Sequence, residues 1–326
     1  MDKPLFSIII PHYDIPDLLM RCLKSIPVSE DIQVIVVDDN SPDADTYLER
    51  YPELSRPYLE FIRTTKGGGA GYARNVGLDH AKGKWLLFAD ADDFFVGNMY
   101  EIILPYVDSK SDLVYFMAKS VFSDNISKPS ERNTFNDVYN PYWEKHDEKP
   151  ARYNHWVPWA KMVRRELVEK YELLFDEVQY SNDLYFSVRL GFYAQQIDVV
   201  KQVLYVLTTR PDSLVSLFYK KPNELSIRAE VKFRAQKFLR NNNVILKKMP
   251  FEGVSIIMLK DNKKLFNYYF KRRIEELYPS KWNYVKAIAN KGSIKFRIAF
   301  YFYIFLIMCF PFRIIESQPT KLNLHE

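Results

Sequence analysis

Three carboxylates crowd into the four residues Asp90-Ala91-Asp92-Asp93, directly after the apolar run Trp85-Leu86-Leu87-Phe88-Ala89. Alternate residues of an extended chain point the same way, so Asp90 and Asp92 make a pair on one side. Such a pair suits one hard cation. Mg²⁺ or Mn²⁺ takes few protein carboxylates and keeps positions open for phosphate oxygens. A solvated acidic turn is the competing reading, because aspartates are common turn residues. A second acidic pair, Asp38-Asp39, ends another apolar run, Ile32 to Val37. Its carboxylates can accept from ribose hydroxyls or a base N–H, or serve with Ser41 as a helix cap. Lys66 to Asn75 carries four glycines ahead of a helical pattern. Backbone amides there are placed to meet a phosphate, with Arg74 adding charge; a mobile loop is the other reading. Neither common phosphate motif fits. Tyr72 or Arg74 stands where a third glycine is needed, and Gly83-Lys84 is followed by Trp85.

The elements that would position these groups alternate. Phe6 to Ile10 reads as a buried strand stopped by Pro11, and Ile15 to Ile26 as a helix with Leu18, Leu19, Cys22, Leu23 and Ile26 on one face. Ile32 to Val37, Leu59 to Arg63 and Trp85 to Ala89 read as further strands, with Tyr72 to Ala81 and Asn98 to Val107 as helices. The alternation predicts an α/β fold with a mostly parallel, doubly wound sheet, whose ligands bind beyond the carboxyl ends of the strands. Residues 123–155 are polar, lack a sustained period and read as a long acceptor-side loop within an irregular stretch at 110–160. Trp156 to Tyr171 and Ser181 to Ala194 read as helices, and Val199 to Thr208 as a strand.

The net charge of +5 conceals an asymmetry: residues 1–219 hold 24 Lys/Arg against 33 Asp/Glu, and residues 220–297 hold 20 against 6. The acidic part can hold a divalent cation, whereas the basic part seeks phosphates or an anionic surface. No nucleic-acid-binding module is recognisable in it. Cys22 and Cys309 have no metal-ligand spacing and suggest no disulfide framework, and the N-terminal apolar run is too short for a signal peptide. A cytoplasmic setting is the expectation. Ile298 to Phe312 is a run of fifteen uncharged residues between Arg297 and Arg313. It falls short of a membrane span and reads either as an interfacial helix, with peripheral membrane contact over 294–315, or as a buried packing helix. The sequence is silent on oligomeric state.

Four segments occur in one order: Ser7-Ile8-Ile9-Ile10-Pro11, Val36-Val37-Asp38-Asp39-Asn40-Ser41, Ala73-Arg74-Asn75-Val76-Gly77-Leu78 and Phe88-Ala89-Asp90-Ala91-Asp92-Asp93. Together they resemble the family 2 inverting glycosyltransferases of the GT-A fold, which transfer sugar from a nucleotide-diphosphate donor. The resemblance implies a catalytic domain over 1–218, with a nucleotide-sugar half at 1–108 and an acceptor half at 109–218, then a basic, aromatic, helical extension over 219–326. It places Pro11, Tyr13, Asp39, Arg74, Asp90, Asp92 and Arg210 on the donor. Asp39 would read the base, Arg74 support base or phosphate, and Asp92 ligate Mn²⁺ or Mg²⁺ with Asp90 beside it. Downstream, Trp159, Lys161 and Asn182 are acceptor-side candidates by the same resemblance. Asp183 matches the family's general base, although the family's preceding Glu is Asn182 here, and helix capping is the alternative role. Arg210 falls where the family folds a basic segment over the diphosphate, but Asp212-Ser213 replaces the usual Gly-Ser. Implied partners are a nucleotide-sugar donor and a glycan or lipid-linked glycan acceptor at the cytoplasmic face of the membrane, as in bacterial surface polysaccharide synthesis. Two alternatives differ in chemistry. A sugar-1-phosphate nucleotidyltransferase needs a Gly-rich loop after the first strand, where Pro11-His12-Tyr13-Asp14 stands. A non-catalytic nucleotide-sugar binder would show neither transfer nor donor hydrolysis.

Overall fold

Eight strands share one sheet: β1 (Phe6–His12), β2 (Ile32–Asp38), β3 (Leu59–Arg63), β4 (Trp85–Phe88), β5 (Phe94–Phe95), β6 (Leu113–Phe122), β7 (Lys161–Arg164) and β8 (Ile197–Thr209). The structure is a computed structural model describing residues 4–210, 224–244, 246 and 263–277. The spatial order is β3-β2-β1-β4-β7-β6-β8-β5. Strands β3, β2, β1 and β4 run parallel, as do β6 and β8, while β7 is antiparallel to both β4 and β6. The parallel strands β1, β2 and β4 therefore open their carboxyl ends on one edge, where both acidic motifs sit.

Both faces of the sheet are covered, as near-continuous apolar runs require. Phe6, Ile8 and Ile10 of β1 pack on one face with Leu19 and Leu23 of the Pro16–Lys24 helix. Ile9 packs on the other with Ala73 of the Gly69–His80 helix and Phe186 and Leu190 of the Leu184–Tyr193 helix. Gly77 lets that first helix lie close to the sheet, since a Cβ there would stand 2.4 Å from Cγ2 of Ile9.

Three expectations need correction. Pro11 does not stop β1, which runs through it to His12. The C=O of Ile9 accepts Ala89 N–H on the β4 side, so Pro11, two residues on, points its missing donor past the end of β4. Trp156 to Tyr171 is not one helix: Ala160 at φ 54° breaks the path, β7 follows, and only Arg165–Lys170 is helical. The irregular stretch 110–160 contains the ten-residue strand β6, paired on both sides, and two short helices, Asn140–Lys145 and Lys149–Asn154.

The described residues fall into two compact units, one within 4–210 and one within 224–277. Described residues of the second unit form the helices Glu224–Asn241 and Lys263–Glu276. Their basic residues are partly turned inward. Arg272 pairs with Glu230 at 2.7 Å and lies 4.2 Å over the Phe233 ring, and Arg273 is fully buried against Gln236. Among the described residues no helix is long and apolar enough to cross a membrane. The segment 294–315 lies outside the described residues.

Candidate active site

At the end of β1 and β2 a buried network fixes two loops. Asp38 takes the backbone N–H of Ser41 at 2.8 Å, its hydroxyl at 2.6 Å and Nδ1–H of His12 at 2.7 Å. Nε2 of His12 accepts Ile15 N–H at 3.2 Å, which leaves the ring proton on Nδ1. Burial alone would raise the pKa of Asp38, but the bonds from His12 and Ser41 together outweigh it and hold it below the usual carboxylate range. Asp38 is thus a structural anchor that caps no helix through a side chain. Its neighbour Asp39 turns toward the glycine-rich stretch, while Tyr13, 56% exposed, stands free beside the buried Pro11.

The glycine-rich amides have a partner within the protein. Oδ1 of Asp39 accepts Gly68 N–H at 2.9 Å, and Oδ2 accepts Gly69 N–H at 2.7 Å. The carboxylate thereby closes the N-terminus of the Gly69–His80 helix, a favourable place for an anion. Gly69 sits at φ 82°, a conformation glycine adopts without strain. The expectation that these amides greet a phosphate therefore yields to an internal cap. Asp39 still has lone pairs for a ligand donor.

Arg74, 5% exposed, joins two parts of the site. One guanidinium nitrogen donates to Oδ1 of Asp90 at 2.6 Å and another to Oδ1 of Asn182 at 2.9 Å, with the plane 5.3 Å over the Phe175 ring. Asp90 in turn donates its backbone N–H to the Tyr205 hydroxyl at 2.8 Å, and Tyr205 stacks on Trp159 at 5.5 Å. Trp159 is 2% exposed and underlies the acidic turn, out of an acceptor's reach. Lys161 is equally buried.

The acidic turn is held from behind by residues that no local pattern in the sequence announced. Arg21 donates to the Asp92 carbonyl at 2.7 Å and to Ser123 O at 2.9 Å, and the Thr208 hydroxyl donates to the same Asp92 carbonyl at 2.7 Å. Asp93 is fully buried, accepts Thr208 N–H at 2.7 Å and has Arg132 at 3.7 Å. It pins β8 to the turn. Asp92 keeps its carboxylate partly exposed, 3.2 Å from Nε of Arg210. Burial and then the charge of Asp90 push Asp92 upward, with Arg210 and Arg132 opposing. Burial and Asp92 push Asp93 well above the usual range.

Two carboxylates that repel each other, each with one oxygen outside the hydrogen bonds above, fit a hard divalent cation whose charge relieves that repulsion. No third carboxylate, His or Cys completes a cluster among the described residues. Remaining positions would then fall to a ligand's phosphate oxygens, as Mg²⁺ and Mn²⁺ allow.

Asp183 stands at the N-cap position of the Leu184–Tyr193 helix, yet its side chain makes no capping hydrogen bond. Burial pushes it above the usual carboxylate range; Arg74 and Lys161 oppose the rise and Asp90 adds to it. A raised, uncapped, half-buried carboxylate has the character that a general base requires. One guanidinium, Arg74, thus ties the β4 acidic turn to the residue beside that carboxylate.

Residues 7–172 match the model of a protein family described as Glycosyl transferase family 2. The glycosyltransferase EpsH of Bacillus subtilis (strain 168) is 27% identical over 232 residues, covering 68% of this chain and 65% of its own length. The poly(ribitol-phosphate) beta-glucosyltransferase of Bacillus spizizenii is 26% identical over 227 residues, 66% of this chain and 34% of the relative. The chain thus spans less than two thirds of the length of these curated relatives. Among solved structures, that of S. aureus TarS 1-349 in complex with UDP-GlcNAc superposes with a TM-score of 0.63 at 18% identity, covering 91% of this chain and 86% of that one.

Proposed function

Because the chain belongs to glycosyl transferase family 2 and has its GT-A α/β fold, we propose that it moves a sugar from a UDP-sugar to a hydroxyl of a surface glycan, with inversion. The observation that carries this reading is the uncapped Asp183 carboxylate, linked through Asn182 and Arg74 to Asp90. Tyr13 offers an exposed ring, and Asp39 a carboxylate, for the nucleoside at the ends of β1 and β2. Asp92, with Asp90 beside it, would hold Mn²⁺ or Mg²⁺, which supplies positive charge against the leaving diphosphate. Arg210 brings a guanidinium to the same carboxylate.

Asp183 takes the proton of the acceptor hydroxyl as that oxygen attacks the anomeric carbon. The bond to the diphosphate breaks on the opposite face, so an α-linked donor yields a β-linkage. Burial serves both requirements of a base here, a raised proton affinity and a fixed position. Acceptors of the relatives include poly(ribitol-phosphate), and a glycan or lipid-linked glycan acceptor at the cytoplasmic membrane face is the corresponding proposal for this chain. A nucleotidyltransferase is disfavoured because the loop after β1 is tied down by Asp14 N–H to Ser41 and by Ile15 N–H to His12, both part of the Asp38 network.

A thermal-shift screen of nucleotide sugars with and without Mn²⁺ tests the donor reading, since a ligand present at about 100 times its Kd stabilises by roughly 2.7 kcal/mol. A UDP-sugar should raise the midpoint more with Mn²⁺ than without. No shift from any UDP-sugar would remove the donor assignment.

A further inference from the structure

Each carboxylate of the pair Asp90 and Asp92 already has a guanidinium, and the two guanidiniums are held very differently. Arg74 serves Asp90. Its side chain is 6% exposed, makes hydrogen bonds of 2.6 and 2.9 Å to Asp90 and Asn182 and lies over the Phe175 ring, three contacts that fix it in place. Arg210 serves Asp92. Its side chain is 30% exposed and reaches Oδ2 of Asp92 through Nε alone, at 3.2 Å. Among the described residues neither Nη group has a hydrogen-bond partner, and the Asp92 carboxylate accepts no other hydrogen bond. The remaining guanidiniums at the turn are engaged elsewhere: Arg21 with the carbonyls of Asp92 and Ser123, Arg132 with the Thr208 carbonyl and Asp93. The backbone that leads to Arg210 is pinned. Thr208 N–H donates to Asp93, the Thr208 hydroxyl to Asp92 O, and Thr209 O accepts Ser123 N–H at 2.9 Å. Arg210 follows directly, so its side chain can leave Asp92 by rotation about its own bonds while strand and turn keep their places. As placed, it opposes a divalent ion at Asp92. An ion on Oδ2 must break the hydrogen bond, and an ion on Oδ1 shares one carboxylate with a like charge. A diphosphate offers the same guanidinium a more highly charged, bidentate acceptor.

We propose that Arg210 holds the cation's place on Asp92 while the nucleotide is absent, so that Mn²⁺ or Mg²⁺ binds weakly by itself and enters together with the nucleotide diphosphate, which draws Arg210 away. The proposal rests on Asp92 being the cation ligand, as proposed above. Its consequence is a coupling between two ligands that is set by one side chain, and such a coupling is reciprocal. Mn²⁺ affinity is read from the electron paramagnetic resonance signal of the free ion, with and without UDP. The full chain is compared with Arg210→Gln, which keeps N–H donors and loses the charge, and with Asp92→Asn.

Without UDP, Arg210→Gln should bind Mn²⁺ about tenfold more tightly than the wild type, a factor within the usual range of coupling between sites. UDP should tighten Mn²⁺ binding by roughly tenfold or more in the wild type and by much less in Arg210→Gln, and Mn²⁺ should tighten UDP binding by the same factors. Mn²⁺ binding to nucleotide-free Arg210→Gln that is no tighter than to the wild type, with the site lost in Asp92→Asn, would overturn this proposal and leave the cation assignment standing. Asp92→Asn that binds Mn²⁺ as the wild type does, with UDP present, would overturn both.

Discussion

Replacing Gly71 with alanine would disturb the base without touching any group that does chemistry. A Cβ built at Gly71 stands 2.0 Å from Asp176 O, 3.0 Å from its carbonyl carbon and 3.1 Å from Cβ of Asn182. Ordinary contact begins at 3.4 Å, so the segment leading to Asp183 must retreat by about 1.4 Å. Two effects on stability oppose each other. Alanine in a helix interior gains roughly 0.5–1 kcal/mol over glycine, whereas overpacking a close contact costs about 1–3 kcal/mol. The clash is with backbone, which cannot rotate aside, so a net loss of about 1–2 kcal/mol is expected. The kinetic effect should be larger, because a displacement of about 1 Å can cost roughly a hundredfold in rate. Asp39 and Tyr13 do not contact the moved segment, so UDP affinity should change little. Thermal denaturation, UDP calorimetry and initial rates of UDP release read the three quantities separately. A variant that is more stable than wild type and equally active would refute the close approach and the reasoning built on it.

Other substitutions act at single steps. Asp39→Ala strips an acceptor from two amides at the start of the Gly69–His80 helix and should cost roughly 2–3 kcal/mol in thermal denaturation, as well as weakening UDP binding. Arg152 donates to the carbonyls of Gly191, Ala194 and Gln195 at the C-terminal end of the Leu184–Tyr193 helix; Arg152→Met leaves them unpaired and should lower stability by about 2–4 kcal/mol. Asp183 has opposite signs for activity and stability. As the proposed base it must be ionised, so kcat should be full above its raised pKa and fall as pH drops through it. Its folded value lies above the ordinary 3.8, so between the two the folded state binds more protons, and its contribution to stability improves as pH falls through that window. Asp183→Asn should accordingly lose turnover while its thermal midpoint at neutral pH holds or rises.

The parallel core was legible because its physics is local. The apolar runs of β2 and β4 end in acidic residues, that of β1 in Pro11-His12, and buried parallel strands end at loops that carry ligands. What sequence reasoning missed depends on distant partners. β6 looked irregular because Lys119 and Ser120 interrupt its apolar run and its register with β8 slips around Met117. Its strand character comes from pairing on both sides. β7 looked helical until the positive φ of Ala160 intervened. At the site, the acidic pair and Asp183 carried their types and order in the sequence. Arg21, Arg132 and Tyr205 did not, since they act on that turn across 71, 39 and 115 residues. Two assignments changed meaning rather than place: Trp159 and Lys161 lie under the site, and the glycine-rich amides bind Asp39.

The central claim is a single inverting displacement with Asp183 as base. Its most direct test is proton NMR of the product formed by the wild type and by Asp183→Asn from an α-linked UDP-sugar with Mn²⁺ present. A β-linked product from the wild type, and none at comparable rate from the variant, is the predicted result. An α-linked product, or a variant with wild-type rate, would contradict it.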